Sequence, residues 1–210
     1  MRVLVACEYS ATVRDAFLAR GHDAWSCDIL PTTGDPGRHI EGDALAVLDG
    51  GWDLIVAHPP CTHLAASGAQ YWPEKRADGR QQAAIDFFLA IYNAPCPRVA
   101  VENPVGVMGT VFRKADQIVQ PWMFGDPFNK KTCFWLRGLP ALTPTNIVEP
   151  THNWGTNSYR SGSRKKSALP SLKWSGHDRS KSFAGIAEAM AEQWGRAVAA
   201  EQPDLFAEAA

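Results

Sequence analysis

The first 28 residues constrain the fold more than any other stretch. Arg2-Val-Leu-Val-Ala6 is a short aliphatic run of the kind buried on both faces of a parallel sheet. Residues 11 to 20 follow with Val13, Phe17 and Leu18 at helical spacing, and Gly21 is placed to stop that helix. His22 to Cys27 then forms a second strand ending at Asp28. Parallel strands need a crossover between them, and about 28 residues is the size of a β-α-β unit. The alternation continues downstream. Trp52 to Ala57 is a third strand. Residues 79 to 93 form a helix with Ala83, Ala84, Phe87, Phe88 and Ile91 on one stripe, ended by Pro95 and Pro97. Arg98 to Glu102 is a strand that Asn103-Pro104 is expected to break. Lys131 to Leu136 is a further strand, and Phe183 to Ala200 an amphipathic helix with Ile186, Met190, Trp194 and Val198 facing one way. The pattern predicts an α/β domain on a doubly wound, mostly parallel sheet.

A chain of 210 residues with 45% hydrophobic residues is enough for one such domain. No run of 18 apolar residues occurs, so no membrane span is expected. The apolar stretch at the N-terminus is too short for a signal peptide and meets Glu8, which points to the cytoplasm. The five cysteines stand far apart, without C-x-x-C, which argues against a disulfide framework and a four-cysteine zinc site. Charge is uneven. Between Arg160 and Lys181 seven cations face one anion, against −1 for the whole chain. That basic run suits a polyanion contact or a solvated loop.

Ligands of doubly wound sheets sit beyond the carboxyl ends of the strands. The informative residues are therefore Cys7 to Ser10, Asp28, His58 to His63 and Glu102 to Pro104. Cys61 follows two prolines, which fix two φ angles and hold it on a stiff loop. A thiol of pKa ~8.5 is only about 3% thiolate at pH 7, so a nucleophile there needs nearby positive charge or N–H groups. Glu102 ends a strand. Partial burial is expected to raise its pKa and let it donate a proton near neutrality; the plainer reading is a loop cap or an arginine partner. His58, Cys61 and His63 have the form H-x-x-C-x-H, but no fourth ligand lies nearby in sequence, and no metal is expected.

Ala57-His-Pro-Pro-Cys-Thr62 followed by Val101-Glu-Asn-Pro104 resembles the cytosine-C5 DNA methyltransferase family, which has a Pro-Cys nucleophile motif and a Glu-Asn motif in this order. The resemblance covers residues 1 to about 136 and 180 to 200. It implies a Rossmann-like class I methyltransferase fold, S-adenosylmethionine as cofactor and DNA as partner. It implies that Cys61 bonds to cytosine C6, that Glu102 protonates or hydrogen-bonds N3, and that Asn103 belongs to the same catalytic motif. Cys7, Glu8, Tyr9, Ser10, Asp28, Ile29, Asp43 and Pro59 fall where that family holds its cofactor, with Asp28 toward the ribose and Asp43 toward the adenine amine. Pro60 and Thr62 flank the nucleophile on the substrate side. The closing helix, Gly185-Ile-Ala-Glu-Ala-Met190, is similar to the last motif, which packs back on the cofactor site.

Three departures stand out. The family's glycine-rich cofactor loop is replaced by Cys7-Glu-Tyr-Ser-Ala-Thr12. Its Gln-x-Arg-x-Arg motif is missing; Lys130-Lys131-Thr132 stands at the similar place, with Lys131 expected to take the charge role. Its large target-recognition domain is also missing. The expected division is a catalytic domain at 1–137 plus 180–200, a basic substrate-binding insert at 138–179 and a tail at 201–210. The insert carries Arg160, Arg164, Lys165, Lys166 and Lys173 with Trp154, Tyr159 and Trp174, a mixture suited to phosphates and stacked bases. Two other readings stay open: a methyltransferase for a free cytosine nucleotide, and a nucleic-acid-binding relative with altered catalysis.

Overall fold

At the centre of the sheet, β1 (Arg2–Ala6) pairs in parallel with β2 (Asp23–Asp28) on one side and β4 (Leu54–Ala57) on the other. β3 (His39–Glu41) extends the sheet beyond β2, and β5 (Val99–Pro104) beyond β4, both parallel. β8 (Thr132–Arg137) then runs antiparallel to β5, and β6 (Gln117–Val119) antiparallel to β8; β7 (Phe128–Asn129) pairs apart from this sheet with β9 (His152–Asn153). The order is β3-β2-β1-β4-β5-β8-β6. This is a Rossmann-like α/β fold with a mostly parallel seven-stranded sheet, as the strand-helix alternation predicts. The coordinates are those of a computed structural model, which describes residues 1–154, 169–170 and 182–201. The winding reverses between β1 and β4, so the crevice of the sheet opens beyond Ala6 and Ala57.

Central strands buried on both faces explain the continuous aliphatic runs. Val3 and Val5 join a core beneath α1 (Thr12–Leu18) and α5 (Ala184–Glu201); Leu4 and Ala6 join a second core beneath α3 (Arg80–Tyr92). On α3 the buried stripe is Gln81, Ile85, Phe88 and Ile91, rotated from the one the sequence suggests: Ala83 is exposed and Ala84 and Phe87 half-buried. A short α2 (Trp72–Ala77) precedes α3, and α4 (Met108–Val111) follows β5.

β5 does not break at Asn103-Pro104. Both residues remain in the strand, opposite Cys133 and Thr132 of β8. Pairing with β4 ends at Val101, so the missing N–H of Pro104 leaves no ladder bond unmade on that side. The start of the expected insert is stitched to the domain. Gln117 and Leu142 exchange hydrogen bonds of 2.6 and 2.7 Å, Thr143 and Gln193 exchange two of 2.8 Å, and Trp194 Nε1 donates to the Pro140 carbonyl. Trp154 packs edge-on against Phe128 and Phe183, with ring centres 5.0 and 4.7 Å away. It therefore covers the core edge, which corrects its expected role in base stacking.

Gly185 lies where α5 meets the Phe124 carbonyl: a Cβ there would stand 1.8 Å from that oxygen. Gly185→Ala is expected to lower unfolding free energy by about 3 kcal/mol, the upper end for overpacking, because the obstacle is backbone. A urea melt with an unchanged midpoint would contradict this close approach. No described helix is long and apolar enough to cross a membrane.

Candidate active site

The turn from β1 into α1 does without glycine. Cys7 and Ala11 both take left-handed backbone conformations, φ 58° and 62°, which cost a residue with a Cβ about 1 kcal/mol each. A side-chain network holds them. Ala11 offers α1 no capping side chain; instead the buried Glu8 carboxylate accepts from the backbone N–H groups of Val13 (2.7 Å) and Arg14 (3.2 Å) and from Ser10 Oγ (3.2 Å). The Tyr9 carbonyl accepts from Thr33 N–H and Thr32 Oγ1. Burial pushes the Glu8 carboxyl above its usual range, opposed by the charge of His58 and by these hydrogen bonds. The three hydrogen bonds put the Glu8 carboxylate at the mouth of α1, and Tyr9 presents its backbone carbonyl to the neighbouring loop.

Across the sheet edge, Asp28 Oδ1 accepts from Leu30 N–H and Asp43 Oδ1 from Leu45 N–H, each at 3.0 Å. The two turns are joined by Gly42 N–H donating to the Asp28 carbonyl. Burial, then the charges of Asp28, Cys27 and Asp43, push the Cys7 thiol up to about 12, so these groups share one neighbourhood. Ile29 is 76% exposed beside them, with Leu30 and Leu45 also exposed. Paired carboxylates next to open aliphatic side chains suit a ligand with hydroxyls on an apolar face, such as a nucleoside.

Cys61 sits on a loop whose carbonyls are taken one after another. Asn103 Nδ2 donates to the Pro59 carbonyl (2.9 Å), and the N–H groups of Leu64 and Ala65 donate to that of Cys61 (3.0 and 2.9 Å). Lys75 Nζ donates to the Thr62 carbonyl (2.6 Å), Gln81 Nε2 to that of His63 (3.1 Å), and Val107 N–H to that of Leu64 (2.9 Å). Lys75, Gln81 and Asn103 are all buried. Gly106 permits the approach, since a Cβ there would stand 2.1 Å from the Leu64 carbonyl oxygen. Pro59 is buried, whereas Pro60, Cys61 and Thr62 are exposed. The Cys61 side chain therefore meets solvent on a held backbone. Cys27, Cys96 and Cys133 are buried, and burial raises all three thiols.

Glu102 lies beside this loop, its Oε2 3.4 Å from His58 Nδ1. Burial pushes its carboxyl up, but the His58 hydrogen bond and the Lys130 ammonium together outweigh burial and hold it below the usual range. The expected upward shift is thus corrected: in the free protein Glu102 is a carboxylate at neutral pH. The cation beside it is also not the expected one. Lys130, Thr132 and Phe134 line the small cavity that contains Glu102 and His58, while Lys131 is exposed and Cys133 and Trp135 enter the opposite core. Two-residue alternation, traced back one step from Thr132, picks out Lys130. Lys130 also rests over the Phe183 ring, 5.4 Å from its centre.

Sequence reasoning missed His58 as a partner of Glu102, and Lys75 and Gln81 as supports of the loop. His63 does not face solvent freely; its Nδ1 is buried. His58, Cys61 and His63 do not converge as ligands, and among the described residues no three His, Cys, Asp or Glu side chains gather to hold a metal ion. From the last motif, Ile186 and Met190 line the cavity beside Glu102. Arg160, Arg164, Lys165, Lys166 and Lys173, with Tyr159 and Trp174, lie outside the described residues, as does most of the tail.

No protein-family model and no curated protein sequence matches the chain. Among solved structures, it is similar to a prophage-encoded protein of E. coli described as a DNA modification methyltransferase, at 16% identity and a TM-score of 0.48. That match covers 71% of this chain and 52% of the other, about half of its length.

Proposed function

We propose that the chain transfers a methyl group from S-adenosylmethionine to C5 of cytosine in DNA, through a covalent bond between Cys61 Sγ and C6. The observation that carries this reading is the hydrogen bond from Asn103 Nδ2 to the Pro59 carbonyl, 2.9 Å long, which joins the Pro-Pro-Cys loop to the Glu-Asn-Pro strand end. The two motifs are thereby one constellation at the crevice of the sheet. The mostly parallel seven-stranded sheet is consistent with a Rossmann-like methyltransferase fold.

The residues at the ends of β1 and β2 fit the cofactor. Asp28 and Asp43 each commit one oxygen to a turn and retain the other for a ribose hydroxyl or an adenine amine. Ile29 supplies an apolar face, and Cys7 to Ser10 line the approach. When bound, S-adenosylmethionine supplies the electrophilic methyl group. The chain does the rest. Cytosine C5 is a poor nucleophile until Cys61 adds at C6 and makes the ring an enamine. Glu102 neutralises the ring by giving N3 a proton, and Lys130 holds the carboxylate toward the cavity. Pro60 and Thr62 flank the base. A base in duplex DNA must leave the stack to reach this loop. Arg160, Arg164, Lys165, Lys166 and Lys173 serve as the phosphate contacts in this reading, with residues 138–179 as the DNA-facing insert.

An oligonucleotide carrying 5-fluorocytosine tests the reading, because fluorine blocks loss of the C5 substituent and strands the adduct. With S-adenosylmethionine present, a covalent complex that maps to Cys61 is expected. Methyl transfer to ordinary cytosine with no trapped complex would exclude the covalent route, and no transfer to any cytosine DNA would exclude the function.

A further inference from the structure

Glu102 must give a proton, yet it rests as a carboxylate. The geometry names the source. We infer that His58 is the positioning residue of this reaction: it holds the Glu102 carboxylate in place and passes it the proton that Glu102 hands to the cytosine ring. The inference rests on the function proposed above and extends it to a residue that the resemblance gives no role.

His58 is the first residue beyond β4, and its backbone N–H bonds to the Ala6 carbonyl at 3.0 Å, which ties it to the end of β1. Its ring is turned inward, with 11% of the side chain exposed, and Nδ1 lies 3.4 Å from Glu102 Oε2. With Nδ1–H aimed at the carboxylate, the second ring nitrogen decides the charge of the ring. That atom, Nε2, is buried and has no hydrogen-bond partner among the described residues. The cavity lined by His58, Glu102, Lys130 and Thr132 has a volume of about 30 Å³, room for one water molecule. Charged groups face His58 from three elements. Glu8 acts on it from the turn after β1, Glu102 from β5, and Lys130 from the approach to β8. α5 contributes Ile186 and Met190, which are apolar. An imidazole 3.4 Å from the Glu102 carboxylate and within the field of Glu8 can gain and lose a proton where a purely packing residue could not.

The proton count closes. The imidazolium gives its Nδ1 proton to Glu102 Oε2, and the carboxyl gives a proton to N3 as the Cys61 thiolate bonds to C6. The imidazole ends neutral, Glu102 ends as a carboxylate and the ring adduct ends neutral. After methyl transfer the C5 proton leaves to water, the thiolate departs from C6, and the N3 proton returns to His58 through Glu102.

Two measurements test this. The first needs no activity: the Glu102 carboxyl is followed by NMR in ¹³C-glutamate-labelled protein, assigned by its absence from Glu102→Gln, in wild type, His58→Asn and His58→Gln. The midpoint is expected to rise in both variants by about one unit or more, as when a close positive partner is removed. An unmoved midpoint in a folded variant overturns the inference whether or not the protein methylates cytosine. The second is the pH profile of kcat. In the variants kcat is expected to fall about tenfold or more, with the acid limb displaced and KM for DNA nearly unchanged. A wild-type profile overturns the relay. A raised midpoint in the variants, with wild type inactive on cytosine DNA, would overturn the proposed function and with it the relay to N3, leaving the His58–Glu102 pair as positioning alone.

Discussion

Cys61→Ala is expected to abolish methyl transfer, with a fall of more than about 10³-fold, while the fold and cofactor affinity survive. The side chain is exposed on a loop held by backbone and buried polar partners, so removing the thiol opens no cavity and breaks none of the carbonyl bonds around it. The loss is therefore chemical. Turnover with radiolabelled cofactor measures it, and denaturant melts separate it from instability. A variant that unfolds normally and methylates at the wild-type rate would mean that no sulfur–carbon bond lies on the path.

Glu102→Gln is expected to lower kcat by roughly 10²-fold or more, the usual effect of removing a positioned acid. The glutamine keeps the shape and can still meet His58, but it has no proton to yield to N3. The same variant has a signature in stability. The folded-state pKa of Glu102 is depressed, so its carboxylate stabilises the fold above the ordinary carboxylate range, and that contribution fades as pH falls through the depressed value. Acid should therefore erode wild type more steeply than Glu102→Gln over that window. Glu8 has the opposite sign. Its carboxyl is raised by burial, so its contribution is fullest below the ordinary range and declines as pH rises through the raised value. Parallel acid curves for wild type and Glu102→Gln would mean that His58 and Lys130 do not stabilise this charge.

Much of the frame could be read in the sequence because central parallel strands are buried on both faces and leave unbroken aliphatic runs. β1, β4 and the first half of β5 each announce themselves this way. β3 and β6 span three residues each and borrow their regularity from a neighbouring strand, so local pattern gives no sign of them. Pro104 misleads for a related reason: proline ends a strand that has neighbours on both sides, and here one side is already vacant. In the site, Cys61 is visible because it follows a core strand, and Glu102 because it is a carboxylate in the last half of one. Lys130 was one alternation step away from legible. Lys75, Gln81 and His58 were not, since they act on residues 13, 18 and 44 positions distant through contacts that only the folded chain creates.

The loop that carries Cys61 has little freedom left. From Pro59 to Leu64, each carbonyl except that of Pro60 has a named donor, and two of those donors are buried side chains from α2 and α3. A backbone tied at this many points has little room to swing out. Under the proposed function the sulfur keeps its place, and the travel falls to the nucleotide. Reaction speed should then track how readily each cytosine leaves its partner: mismatched or unpaired positions first, and those within stiff G·C-rich tracts last.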